Sequence, residues 1–132
     1  GKRMSIDQQL KYKFILCIEG NDVATNLKWA MSSNSLCIMR KPRFETWYME
    51  GILQAGVHYV ESQDDYSDLN EKIPYYSEQS NEALQIIDNA HNHVAQFQDE
   101  KIEDMISMLV LEKYYHLPGQ LTAQYVTNNH VL

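Results

Sequence analysis

Residues 12–50 constrain this chain more than any other stretch, because they read as strand, polar turn, helix, strand and basic turn. The first strand, Tyr12-Lys13-Phe14-Ile15-Leu16-Cys17-Ile18, runs apolar from Phe14. It stops at Glu19-Gly20-Asn21-Asp22, where glycine and short polar side chains permit a tight turn. Asp22 or Asn21 can cap a helix on which Val23, Leu27, Ala30 and Met31 recur at helical spacing. Ser32-Ser33-Asn34-Ser35 ends that helix before a second strand, Leu36-Cys37-Ile38-Met39. The pattern predicts a right-handed βαβ unit. Its two parallel strands place the turns at 19–22 and 40–43 side by side at their carboxyl ends, the edge at which open α/β sheets bind ligands.

Composition narrows what that edge can bind. With 11 basic against 18 acidic residues in 132, the chain carries no broad cationic surface of the kind nucleic acid requires, so an anion site must be local. Arg40-Lys41-Pro42-Arg43 is such a concentration: it holds three of the 11 basic residues within four positions, directly after a strand, with Lys28 on the preceding helix. A phosphate or carboxylate would meet side-chain charge and backbone N–H groups there; the competing reading is a solvated basic turn. No apolar run approaches the roughly 20 residues needed to cross a bilayer, and the amino end lacks the apolar segment of a signal peptide, which makes the cytoplasm the expected compartment. Gly1 precedes an internal-looking start, so the chain reads as a piece of something longer. Cys17 and Cys37 sit inside apolar strands and read as buried free thiols, and the five scattered histidines give no zinc spacing.

After Pro42, Phe44-Glu45-Thr46-Trp47-Tyr48-Met49-Glu50 fits a short helix stopped by Gly51, with either an exposed acid beside a buried Trp47 or a carboxylate that accepts sugar hydroxyls. Val57-His58-Tyr59-Val60 reads as a third strand. Asp64-Asp65 is a weak metal pair, since adjacent residues of an extended loop point apart. Ser67 is placed to cap a helix over 67–76 that Pro74 ends or kinks, and Ser80 one over 81–97 with an apolar stripe from Ala83 to Phe97. A further helix over 101–115 carries methionines that read as core. The expected organisation is a polar lead-in over 1–10, one Rossmann-like domain over 11–117 with carboxy-terminal helices, and a tail over 118–132. The fold class is α/β, a parallel sheet of three to four strands with helices on both faces and a helical arm.

Lys11-Tyr12-Lys13-Phe14, Glu19-Gly20-Asn21-Asp22, Ser33-Asn34-Ser35-Leu36, the block from Glu45 to Glu50, and Val57-His58-Tyr59-Val60 together resemble glycosyltransferase family 90. This is the lipopolysaccharide-A-like group that also contains eukaryotic protein O-glucosyltransferases. The likeness keeps the order and spacing of all five blocks over residues 11–97, and is nearest to the bacterial branch. It implies an inverting hexosyltransferase of the two-domain GT-B type, of which this chain is the carboxy-terminal half that binds a nucleotide-sugar donor, a UDP-hexose. It also implies an acceptor in lipopolysaccharide core, engaged by an amino-terminal domain that supplies the general base. No metal cofactor is expected, and the full-length enzyme would work in the cytoplasm, peripherally at the inner face of the inner membrane. The donor-binding residues would be Glu19, Gly20, Asn21, Asp22, Asn26, Lys28, Arg40, Lys41, Arg43, Glu45 and Glu50. Asn26 stands where eukaryotic relatives place an arginine against the donor diphosphate, so Lys28, Arg40 or Lys41 would supply that charge. An ionised Asp22 capping the same helix would repel a diphosphate. The alternatives are a receiver-type signalling module, which needs a phosphoacceptor aspartate after strand three and later strands that this pattern lacks, and a non-catalytic α/β scaffold, which would ignore uridine diphosphate.

Overall fold

A computed structural model describes residues 4–117; the expected tail over 118–132 and residues 1–3 lie outside the described residues. Contacts divide the chain into two compact units, Gly1–Gln96 and Phe97–Leu132.

The first unit is built on a three-stranded parallel sheet in the order β1 (Phe14–Leu16), β2 (Leu36–Met39), β3 (Val60–Glu61). Ile15 pairs with Cys37, Leu16 and Val60 flank Ile38 on its two sides, and Glu61 pairs with Met39. The expected second strand forms over the residues named for it. The first is shorter than expected, and the third begins at Val60 where a start at Val57 was expected, because residues 55–59 turn and meet only in an isolated bridge between Ala55 and Tyr59. Gly56 makes that turn at φ 72°, where a side chain would be strained.

A one-turn helix, α1 (Ile6–Gln9), precedes the sheet, held by a capping box between Ser5 and Gln8. The crossover helix α2 (Leu27–Met31) is only five residues long and begins after Asn26, so neither Asn21 nor Asp22 caps it. Asp22 accepts instead from the Val23 amide at 2.8 Å, a local turn bond that competes with helix initiation. Asn26 gives no side-chain cap either; its amide donates to the Leu16 carbonyl at 2.8 Å and ties the start of α2 to the end of β1. The connection from β2 to β3 contains one 3-10 turn, Glu50–Ile52, which includes Gly51 where a helix ending at that glycine was expected.

α3 (Leu69–Glu78) runs on through Pro74, where an end or kink was expected; the Asn70 carbonyl that Pro74 leaves unbonded belongs to an exposed residue that water can reach. Ser67 is not its cap. Asp68 closes the loop from β3, accepting from the Ser62 hydroxyl and the Gln63 amide and pairing with Lys72 at 3.3 Å. α4 (Ser80–Ala95) includes Ser80 as its first residue.

Leu36 and Ile38 project to one face of β2, where they pack with Val60, Ile86 and Ile87, flanked by Phe14, Leu69, Tyr76 and Ala83. Cys37 projects to the other, beside Cys17 and Tyr48, whose hydroxyl reaches the Met31 sulfur at 3.6 Å. All four residues of β2 are buried, so both of its faces are covered. The two thiols are free, as expected; their mutual hydrogen bond and burial push Cys17 well above the usual thiol range.

The second unit contains α5 (Glu100–His116), capped by Asp99, which accepts from the amides of Lys101 and Ile102. None of its residues is buried, so Met105 and Met108 are not the core residues the periodicity predicts. Apolar residues occupy all sides of this helix instead of one stripe, which weakens any inference of a buried face.

Ile38 is wholly buried and Ile52 is half exposed. Ile38→Ala is expected to lower the unfolding free energy in urea by about 2–5 kcal/mol, and Ile52→Ala by under about 1 kcal/mol.

Candidate functional site

Because the strands are parallel, the segments after β1, β2 and β3 leave the sheet at one edge. Glu19, two residues past the β1 carboxyl-side residue Cys17, turns its carboxylate inward with only 6% of the side chain exposed. One oxygen pairs with Arg40 at 3.2 Å and with Arg43 at 3.6 Å; the other accepts the Arg43 backbone N–H at 3.1 Å. The turns after β1 and β2 are thus joined through a single carboxylate. Arg40 is largely covered, whereas Arg43 remains 55% exposed and Lys41 is exposed without an ion pair among the described residues. Two guanidiniums share one carboxylate here, so the cluster itself carries one net positive charge in a chain of net charge −7.

The loop after β3 brings Tyr66 to the same place. Burial raises its phenol, then the Arg40 main chain and guanidinium lower it and Glu19 raises it, so the ring lies among these groups. Sequence reasoning missed Tyr66, since nothing in its local pattern marks a residue that only the fold carries to the Glu19 cluster.

A second cluster forms around Glu50, whose side chain is 2% exposed. Its carboxylate accepts the Thr46 amide at 2.6 Å and the Thr46 hydroxyl at 2.9 Å, and Lys28 stands 3.9 Å away. The Lys28 ammonium also lies 5.1 Å from the centre of the Trp47 ring and 5.6 Å from that of Tyr48, a double cation–π arrangement. Tyr48 is the buried aromatic of this segment and Trp47 is 62% exposed, so the reading of a buried Trp47 beside an exposed acid does not hold. The Met49 amide bonds back to Thr46, and Met49 takes a left-handed φ of 58°, so the segment turns where a short helix was expected. Glu45 lies against Gly51: a Cβ there would come within 2.9 Å of the carboxylate oxygen.

His93 of α4 completes the buried side, its Nε2–H donating to the Tyr48 carbonyl at 3.3 Å and its ring standing edge-on to Tyr48. His58 lies 5.7 Å away, ring to ring, and its Nδ1 accepts the Gln54 amide. Burial lowers His93 and outweighs the Tyr48 hydrogen bond and the Glu50 charge, which raise it; burial and the neighbouring His93 lower His58.

Of the expected site residues, then, the fold joins Glu19 with Arg40 and Arg43, and Lys28 with Glu50. Asn26 is engaged with β1, and Asn21, Asp22 and Lys41 are exposed. Gly20 is neither left-handed nor crowded, so the backbone does not require a glycine there, and its N–H bonds to the Asp22 carbonyl. A phosphate-binding helix terminus is not available at α2, which is too short to build an appreciable dipole. Among the described residues no three His, Cys, Asp or Glu side chains gather as metal ligands, and no helix is long and apolar enough to cross a membrane.

The sequence model described as Glycosyl transferase family 90 matches residues 1–123. A Dichelobacter nodosus protein named O-glucosyltransferase LpsA is 53% identical over 114 residues, 86% of this chain and 36% of the relative. "Uncharacterized protein 035R" of Invertebrate iridescent virus 3 is 27% identical over 125 residues, 93% of this chain and 11% of the relative. The chain therefore spans about a third or less of these relatives. No solved structure matches.

A histidine held neutral in the fold binds its proton later than in the unfolded chain, so its stabilising contribution is complete above about pH 6.5 and is lost as pH falls toward the lowered folded value. Urea midpoints measured from about pH 7.5 down to about 5.5 should fall for the native chain, and should fall less steeply for His93→Gln.

Proposed function

Because the chain belongs to glycosyl transferase family 90, we propose that it is the donor-binding part of a hexosyltransferase. The observation that carries this reading is the Glu19–Arg40–Arg43 cluster at the carboxyl edge of a parallel sheet, with Arg43 and Lys41 open to solvent. Transfer of a sugar from a nucleotide donor releases a nucleoside diphosphate, and fixed cations at that edge stabilise the charge that develops on the leaving phosphate. Glu19 gathers the two guanidiniums on one carboxylate oxygen and orients them, so little reorganisation accompanies the reaction. In this proposal arginine and lysine carry the charge, without a metal.

Lys28 is assigned a different place from the one its sequence position suggests. Its pairing with Glu50 and its position over Trp47 make it part of a surface with a flat exposed indole, the Glu45 carboxylate nearby in sequence, and the Thr46–Glu50 hydrogen bonds as its foundation. Such a surface suits a ring that is apolar on its face and hydroxylated at its rim, the ribose or the hexose of the donor. The relative's printed name supports glucose as the sugar. The fuller assignment is a GT-B enzyme that inverts the sugar carbon and uses UDP-hexose. It glycosylates lipopolysaccharide core or a related glycan at the cytoplasmic face of a membrane, with acceptor site and general base in the part of the enzyme outside this chain.

Amide chemical shifts recorded during titration with uridine diphosphate and then UDP-glucose provide the test. Movement confined to residues 19–28 and 40–50 is the expected result, and Arg43→Ala should weaken diphosphate binding by roughly tenfold. A chain indifferent to millimolar ligand, or one that responds only elsewhere, would sink the proposal.

A further inference from the structure

β1 is an outermost strand of the sheet in this chain, yet its sequence is that of an interior one. Phe14-Ile15-Leu16-Cys17-Ile18 is an uninterrupted apolar run, the pattern of a parallel strand covered on all sides. Edge strands ordinarily carry a charge or a proline that discourages further pairing, and between Phe14 and Ile18 there is neither. Ile15 and Cys17 are buried, whereas Leu16 is 37% and Ile18 55% exposed. The backbone is open as well. The Lys13 carbonyl accepts from the Leu36 amide and the Cys17 amide donates to the Ile38 carbonyl, so Phe14 and Leu16, which alternate with the residues bonded to β2, turn their N–H and C=O groups outward. Of those groups, among the described residues, the Leu16 carbonyl alone has a partner, the Asn26 side-chain amide at 2.8 Å.

A cavity of about 240 Å³ lies beside this edge, on the face of the sheet that α4 covers. Phe14, Leu36, Leu84 and Ile87 line it with apolar surface, and Lys13 and Asn34 with polar groups, so it stands at the amino ends of β1 and β2, away from the Glu19 cluster. Leu84 is 58% exposed. The volume falls below the about 300–1,000 Å³ of small-molecule sites, and it suits an apolar side chain presented by a neighbouring strand better than a free ligand. Among the described residues there is no fourth strand to present one. The chain spans about a third or less of its relatives, so most of a relative's polypeptide lies outside the matched region.

We propose that β1 is an interior strand of the complete enzyme: an extended segment of the polypeptide outside this chain joins it along the Phe14–Leu16 edge and sets an apolar side chain into the cavity beside Phe14 and Leu84. The joining strand bonds to Phe14 and to the Leu16 N–H, and ends where Asn26 holds the Leu16 carbonyl. Its apolar residues fall at alternate positions, because strand side chains alternate between the two faces of a sheet and the cavity lies on one of them. This inference rests on the reading of the chain as one part of a larger enzyme, and is independent of donor binding at the carboxyl edge.

Residue-resolved amide hydrogen exchange, measured on this chain and on the full-length enzyme, tests the proposal. The Ile15 and Cys17 amides bond to β2 and should exchange slowly in both. The Phe14 and Leu16 amides should exchange freely in this chain and about a hundredfold more slowly, or slower still, in the enzyme. Leu84→Lys should leave the urea midpoint of this chain unmoved, since Leu84 is exposed in it, and should lower that of the enzyme. Fast exchange of the two outer amides in the enzyme would overturn the proposal. Protection that grows with the concentration of this chain alone would give the edge to a second copy and overturn it equally. Protected amides together with an indifferent Leu84→Lys enzyme would overturn the placement of a side chain in the cavity. None of these outcomes depends on uridine diphosphate, whose binding tests the donor reading separately.

Discussion

Burial of β2 on both faces is the constraint on which the rest of the first unit depends. Leu36 and Ile38 face the helical side, Cys37 the side of Cys17 and Tyr48, and the strand pairs with a parallel neighbour along each edge. A strand held in this way cannot slip by one residue without turning its core residues to the wrong faces. Its carboxyl end is therefore a fixed point, and Arg40 emerges from it next to the ends of β1 and β3. Parallel pairing places three loops at one edge; it does not decide what those loops carry.

Buried charge organises that edge. Glu19 is more covered than either guanidinium that it pairs with, and Glu50 is almost wholly enclosed beside the partly exposed Lys28. The desolvation cost of such carboxylates offsets much of the attraction, so these pairs contribute more to orientation than to net stability. Each acid also accepts a backbone N–H, from Arg43 in one case and Thr46 in the other, which fixes its loop as well as its cation. The consequence is a pair of rigid anchors beneath exposed groups, Arg43 and Lys41 over one and Trp47 over the other. The buried histidines follow the same logic in reverse: His93 is packed against Tyr48 and donates to its carbonyl, an arrangement that favours the neutral ring.

Where the sequence was misleading, the errors have local physical causes. Helical periodicity from Val23 to Met31 was legible, but the Asp22 turn and the use of Asn26 to hold β1 leave only its last part helical. In residues 44–51, left-handed Met49 interrupts the expected short helix, and Trp47 is exposed where one reading had it buried. Pro74 was expected to end or kink its helix; α3 does not end there and continues to Glu78, because a solvent-facing helix tolerates the missing hydrogen bond. The methionines of α5 fit an apolar pattern without being buried, since hydrophobic residues on every side do not specify which face is covered.

The sequence alone determined the α/β class, the position of β2, the basic turn after it and the family, because these rest on short-range patterns: an apolar run, charges within four residues, and ordered blocks of fixed spacing. Tertiary structure alone decided that Glu19 would bind both arginines, that Lys28 would belong with Glu50 rather than with the basic turn, and that Tyr66 would meet Arg40. Those contacts join residues 21 to 26 positions apart, and no local propensity encodes them. They exist because strand register and the turns between strands bring separate loops to one edge, where burial and charge select the partners.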